Sequence, residues 1–158
     1  MDRRTLRSVF LSAFNLEGLE YAGGGCQVIH PELTWTVSLV VDGSGKPAPY
    51  RVVLGVSLLQ LGEPAPRDAE KCALFWPIPY GSADSGTASR LSMPDAAFPD
   101  WSGTQDDRAS AIAQCVAEVV AYTRHVASLK DLRRRYASGD YDGAFIITPL
   151  RELLQARS

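Results

Sequence analysis

Between residues 34 and 58, apolar and polar positions alternate in two runs separated by a stretch of turn-forming residues. Trp35, Val37, Leu39 and Val41 alternate with Thr34, Thr36, Ser38 and Val40. Tyr50, Val52, Leu54, Val56 and Leu58 alternate with Arg51, Val53, Gly55, Ser57 and Leu59. A period of two predicts strands. Asp42-Gly43-Ser44-Gly45 between them supplies the residue types of a hairpin turn. One apolar face and one mostly polar face predict an antiparallel sheet covered on one side.

Upstream the period changes. Leu6, Val9, Phe10, Ala13 and Phe14 recur at helical spacing, which predicts an amphipathic helix started by Asp2 and ended at Gly18. Residues 19–30 predict a first strand, broken or bulged at Gly23-Gly24-Gly25. Residues 70–79 predict a fourth strand, with Pro77 and Pro79 confining its end to a sheet edge. Residues 80–105 are rich in Gly, Ser, Asp and Pro and lack periodicity, so a long loop is expected. Asp106 or Asp107 is expected to cap a long helix carrying Ile112, Val116, Val119, Thr123, Val126 and Leu129 on one face. Ser128 followed by Asp131 marks a new helix start, running to Gly139. Phe145-Ile146-Ile147 predicts a short strand, and Thr148-Pro149 opens a last helix with Leu150, Leu153 and Leu154. The expected architecture is a single α+β domain over residues 1–158. It has an antiparallel sheet of about four strands, with the N-terminal and C-terminal helices on its apolar face.

Composition narrows the function classes. A chain of 158 residues fits one domain with a substantial core. Its net charge of −2 argues against a general nucleic-acid binder, which would carry a basic excess. No run approaches the roughly 20 apolar residues of a membrane span. Cys26, Cys72 and Cys115 are scattered and form no C-x-x-C pair, so no zinc or redox motif is encoded locally. Single cysteines of this kind suit a reducing cytosol. Arg3-Arg4 and Gly24-Gly25-Cys26 hint at an export signal and a lipoprotein cleavage site. Ser12, Asn15 and Glu17 interrupt the apolar region, however, and Gly23 stands where such a site wants leucine. An unprocessed, cytoplasmic chain is expected.

The candidate chemistry is sparse. Gly43-Ser44-Gly45-Lys46 resembles a phosphate-binding loop, yet Val40 replaces its first glycine and Pro47 follows the lysine. Neither nucleotide, metal nor other cofactor is expected. Cys26 and His30 suggest a thiol–imidazole pair; in one extended segment they would lie ~13 Å apart, out of hydrogen-bond reach. His125 beside Arg124 reads as a partly exposed histidine on the long helix. Asp140 and Asp142 read as turn formers, since two carboxylates alone make a poor cation site. Arg133-Arg134-Arg135 fans around a helix end, where cations suit the dipole, or else meets an acidic partner surface.

The texts YRVVLGVSL, LGEPAPR, KCALFWPI and FPDWSG, in this order, resemble the bacterial family called domain of unknown function 4304. The resemblance covers residues 5–135 and includes no catalytic signature. It implies an immunity-like or accessory protein. With the missing catalytic motifs, the expectation is a non-catalytic module that binds another protein, as a monomer or homodimer, without nucleic acid or membrane. A secretion-chaperone-like adaptor, or a small hydrolase or transferase with its site assembled from distant residues, are the alternatives. The expected contact residues are Arg90, Leu91 and Met93 in loop 80–105, joined by Arg51 and Ser57 on the sheet's polar face. Leu91 and Met93 are expected to be exposed, whereas Phe98 and Trp101 anchor the loop over the sheet.

Overall fold

The computed structural model describes residues 2–43, 48–62, 64–80 and 91–156. The tip of the hairpin turn, with its Gly-Lys pair, and Arg90 lie outside them. The five strands are β1 (Cys26–Ile29), β2 (Leu33–Val41), β3 (Tyr50–Leu58), β4 (Leu74–Pro77) and β5 (Phe145–Ile146). They form one antiparallel sheet in the order β1-β2-β3-β4-β5. The helices are α1 (Arg3–Leu16), α2 (Gln105–His125), α3 (Leu129–Ala137) and α4 (Thr148–Gln155). The α+β architecture stands, with five strands among the described residues rather than about four.

The alternation fixes the pairing register. Val41 pairs with Tyr50 and Trp35 with Val56, so the apolar sets of β2 and β3 share one face. Trp76 joins that face opposite Leu54. Leu6, Phe10 and Phe14 of α1 and Ile112, Val116, Val119 and Val120 of α2 pack on it in one core with Trp35, Leu54 and Trp76. The Trp35 indole N–H reaches the Val126 carbonyl at 2.7 Å, so the largest core side chain also satisfies the end of α2.

The helix ends follow local capping chemistry. The Asp2 carboxylate accepts the Thr5 N–H at 2.8 Å, and Ser128 Oγ accepts the Asp131 N–H at 3.1 Å. Thr104, not Asp106 or Asp107, caps α2: its hydroxyl accepts the Asp107 N–H at 3.1 Å. The two aspartates fall in the first turn, where they complement the helix dipole. The first strand is shorter than residues 19–30. Gly23 and Gly24 take positive φ and fold the chain into a tight turn between Ala22 and Gly25, leaving only Cys26–Ile29 paired.

The second face of the sheet departs from the expected open polar surface. Thr36 and Ser38 are buried because a strap, residues 64–72, lies across it. Thr36 Oγ1 donates to the Pro66 carbonyl at 2.8 Å, and Gln27 Nε2 reaches the Ala65 and Pro66 carbonyls at 3.3 Å. Ser38 Oγ accepts the Ala69 N–H at 2.9 Å, and Arg67 Nε donates to the Ala22 carbonyl at 2.8 Å. The polar alternation of β2 therefore serves the strap's backbone, which would otherwise be buried unpaired.

Candidate functional site

The strap splits the second face into two depressions. The lower is a groove of about 370 Å³ whose apolar lining includes Leu61, Pro64, Pro66, Ile147 and Pro149. Ser57 and Cys72 also line it, and among the described residues Lys71 is its single charged lining residue. Each wall has a local cause. The chain leaves β3 through Gly62 in left-handed conformation, and Pro64 and Pro66 stiffen the wall beyond. The opposite wall is set by the Ile147 N–H, which donates to the Ala73 carbonyl at 2.9 Å before Pro149 opens α4. The prolines carry no N–H, so the groove offers shape and apolar contact rather than backbone donors.

Apolar exposure continues around it. Ile147 is 48% exposed, Leu59 71%, Ile29 74% and Phe145 65%. Phe145 stacks on Phe75 at 4.7 Å, and both lie on the strap side of the sheet, in the row Gln27–Thr36–Gly55–Phe75–Phe145. No acidic group among the described residues pairs with Lys71. Burial raises the pKa of the Cys72 thiol, and its Sγ lies 3.7 Å from the Asp68 carbonyl. It acts as a small apolar residue in the groove floor.

The upper depression, about 260 Å³, is lined by Val40, Val53, Phe75 and Pro77 with Asp42 and Arg51. Arg51 and Asp42 form an ion pair at 2.7 Å, and the Arg51 guanidinium lies 4.5 Å from the Tyr80 ring centre. Of the five expected contact residues, Ser57 lines the groove, Arg51 lies across the strap and is committed to Asp42 and Tyr80, and Arg90 lies outside the described residues. Leu91 and Met93 are corrected. Both are buried, at 8% and 2% exposure. The Met93 N–H donates to the Pro79 carbonyl at 2.7 Å in a parallel bridge beside Tyr80, and its Sδ accepts the Val52 N–H at 3.4 Å. Residues 91–98 thus bridge to the chain beyond β4 and roof the core. Their lack of periodicity hid this, because an isolated bridge and a single 3-10 turn impose none.

The catalytic candidates are dispersed. Cys26 is buried, with a thiol pushed up to about 11 by desolvation, and His30 turns away to donate to the Thr123 carbonyl at 2.7 Å. Asp140 is more than a turn former. Its carboxylate is buried, accepts the Tyr122 hydroxyl at 3.0 Å and faces Arg135 at 3.8 Å. Among the described residues no three His, Cys, Asp or Glu side chains gather into a metal-sized cluster, and no helix is long and apolar enough to cross a membrane.

The sequence did not single out Lys71, Leu61, Pro64, Pro66, Ile147 or Pro149. The prolines of LGEPAPR and Thr148-Pro149 were visible as punctuation, yet some eighty positions separate the two walls, which the β4–β5 pairing and the Ile147–Ala73 hydrogen bond bring together. No family model, curated protein or solved structure matches the chain, so the groove stands on its own geometry.

Proposed function

We propose that this chain is a non-catalytic protein-binding module. Its groove takes an extended segment of another protein, with apolar side chains and one carboxylate. The observation that carries the reading is the groove beside the strap: an open apolar trough in which Lys71 is the one charged lining residue among those described. Apolar area left in water beside such a trough is worth roughly 25 cal/mol per Å² once covered. A carboxylate near Lys71 adds register at the rim. Three buried, unpaired thiols support a reducing compartment. The resemblance of 50–58, 61–67 and 71–78 to domain of unknown function 4304 supports an immunity-like or accessory role over catalysis.

The test is selection of binding peptides from a displayed random library. Enriched sequences should combine apolar residues with Asp or Glu, and chemical-shift changes should centre on residues 57, 61, 71–73 and 147. Ile147→Glu and Lys71→Glu should each weaken binding by ~2 kcal/mol without altering the circular dichroism. Peptides that bind both variants as well as the parent would refute the groove. Self-association in sedimentation that the same variants abolish would replace the partner segment with a second copy.

A further inference from the structure

A third depression lies away from the sheet, between the C-terminal end of α2 and α3. It measures about 280 Å³ and is lined by His125, Val126, Asp131, Arg134, Arg135 and Ser138. We propose that it binds a phosphate-class oxyanion, a phosphate or phosphoester group. Residues 124–138 hold Arg124, Lys130, Arg133, Arg134 and Arg135 against Asp131 alone, in a chain whose net charge is −2. Five of the chain's 16 Lys and Arg residues therefore fall in this short stretch, and a local basic excess of this kind draws anions.

The structure sorts the arginine run into roles. Arg133 Nε donates to the Leu153 carbonyl at 2.8 Å and ties α3 to α4. Arg124 donates to the Glu17 carbonyl at 2.8 Å and ties α2 to the end of α1. Arg134 and Arg135 remain on the depression with His125, which comes from the other helix. Arg135 is held in place: its guanidinium lies 5.5 Å from the Tyr122 ring centre and 3.8 Å from the buried Asp140 carboxylate. A fixed guanidinium loses little freedom when it binds an oxyanion.

Of the two other polar groups, the Asp131 carboxylate keeps its negative charge near Arg134, while one of its oxygens and the Ser138 hydroxyl are engaged within the chain. Asp131 Oδ2 accepts the Ala127 N–H at 3.1 Å, and the Ser138 hydroxyl donates to the Arg134 carbonyl at 3.0 Å. The donors left for a ligand are two guanidiniums and an imidazole, arriving from two helices. A planar carboxylate is served by one bidentate arginine. Donors from separate directions suit the several oxygens of a tetrahedral phosphate.

The test is titration of the intact chain with inorganic phosphate, read by amide and imidazole resonances against sodium chloride of matched ionic strength. Saturable shifts at His125, Arg134, Arg135 and Ser138 are expected with phosphate alone. Arg134→Gln and His125→Gln should each weaken binding, the former by about tenfold, while Arg151→Gln on α4 leaves it unchanged. Shifts reproduced by chloride, or unchanged in Arg134→Gln, would overturn the site. So would acetate binding as tightly as phosphate.

Discussion

The carbonyl oxygen of Ala69 lies 2.6 Å from the point where a Cβ on Gly55 would stand. Cys72 Sγ lies 2.7 Å from the same point, and Gly25 leaves similar room for the Arg67 carbonyl at 2.7 Å. The strap thus rests on two glycines, and its backbone cannot yield without breaking the Thr36 and Ser38 hydrogen bonds. Gly55→Ala is expected to destabilise the fold by ~1–3 kcal/mol through overpacking. Urea unfolding measures the loss, and faster thiol labelling of Cys72 would locate it at the strap. A variant as stable as the parent, with Cys72 still protected, would show that the strap adapts freely.

Gly55 also shows how far the sequence could be read. In the alternation of β3 it stood as one more position of a polar face, and the face was expected to be open. Period two tells which residues share a side; it does not tell what arrives there from 14 residues downstream. The hairpin, α1, the Ser128 cap and the Thr148-Pro149 start were legible because each is specified by neighbours within a turn or two. The groove was not legible, since its two walls meet only through tertiary pairing. The expected exposure of Leu91 and Met93 failed for the same reason: Met93 is held by Pro79 and Val52, contacts that no local pattern announces.

Arg108 is buried at 3% exposure, and among the described residues no carboxylate pairs with it. Its guanidinium donates to the carbonyls of Ala96, Phe98, Pro99 and Trp101 at 2.8–3.4 Å and lies 5.3 Å from the Trp101 ring centre. One side chain on α2 therefore shapes the chain from 96 to 101. Arg108→Met is expected to cost about 3 kcal/mol, because buried carbonyls lose charge-assisted donors. Arg108→Lys should restore little, as a point charge cannot span the fork. Tryptophan fluorescence should report release of Trp101. Full rescue by lysine would mean that charge, not geometry, holds the loop.

The thiols give a pH dependence of definite sign. Burial raises Cys26 to about 11 and Cys115 to about 12, against roughly 8.5 for an exposed cysteine. The unfolded chain releases those protons first as pH rises, so the folded state loses stability above about pH 8.5. Below that value both states hold the protons and the thiols contribute no slope. Each thiol adds at most about 1.4 kcal/mol per pH unit until its folded pKa is reached. Urea unfolding as a function of pH should show the decline, and Cys26→Ala with Cys115→Ala should flatten it. An identical slope in the double variant would assign the decline to other groups, such as the buried tyrosines.

Tyr141, Tyr122 and Asp140 form a relay of hydrogen bonds beneath Trp76. Tyr122 and Tyr141 hydroxyls are 2.8 Å apart, and Tyr122 lies 3.0 Å from Asp140 Oδ2. Tyr122 has one proton, which it gives to the carboxylate, so Tyr141 donates to Tyr122. Desolvation first, and then the neighbouring charges, raise the Tyr122 phenol far above its ordinary range, so it remains a donor at any working pH. Among the described residues, Tyr122→Phe leaves the buried carboxylate facing only Arg135 at 3.8 Å, and Oδ1 already lacks a hydrogen bond. The expected loss is about 2–3 kcal/mol. Asp140→Asn in the same chain removes the charge that Tyr122 had solvated. The double variant should therefore be at least ~1 kcal/mol more stable than the sum of the single losses implies. Additive losses in denaturant unfolding would show that Tyr122 contributes packing against Trp35 and Trp76, and not the hydrogen bond.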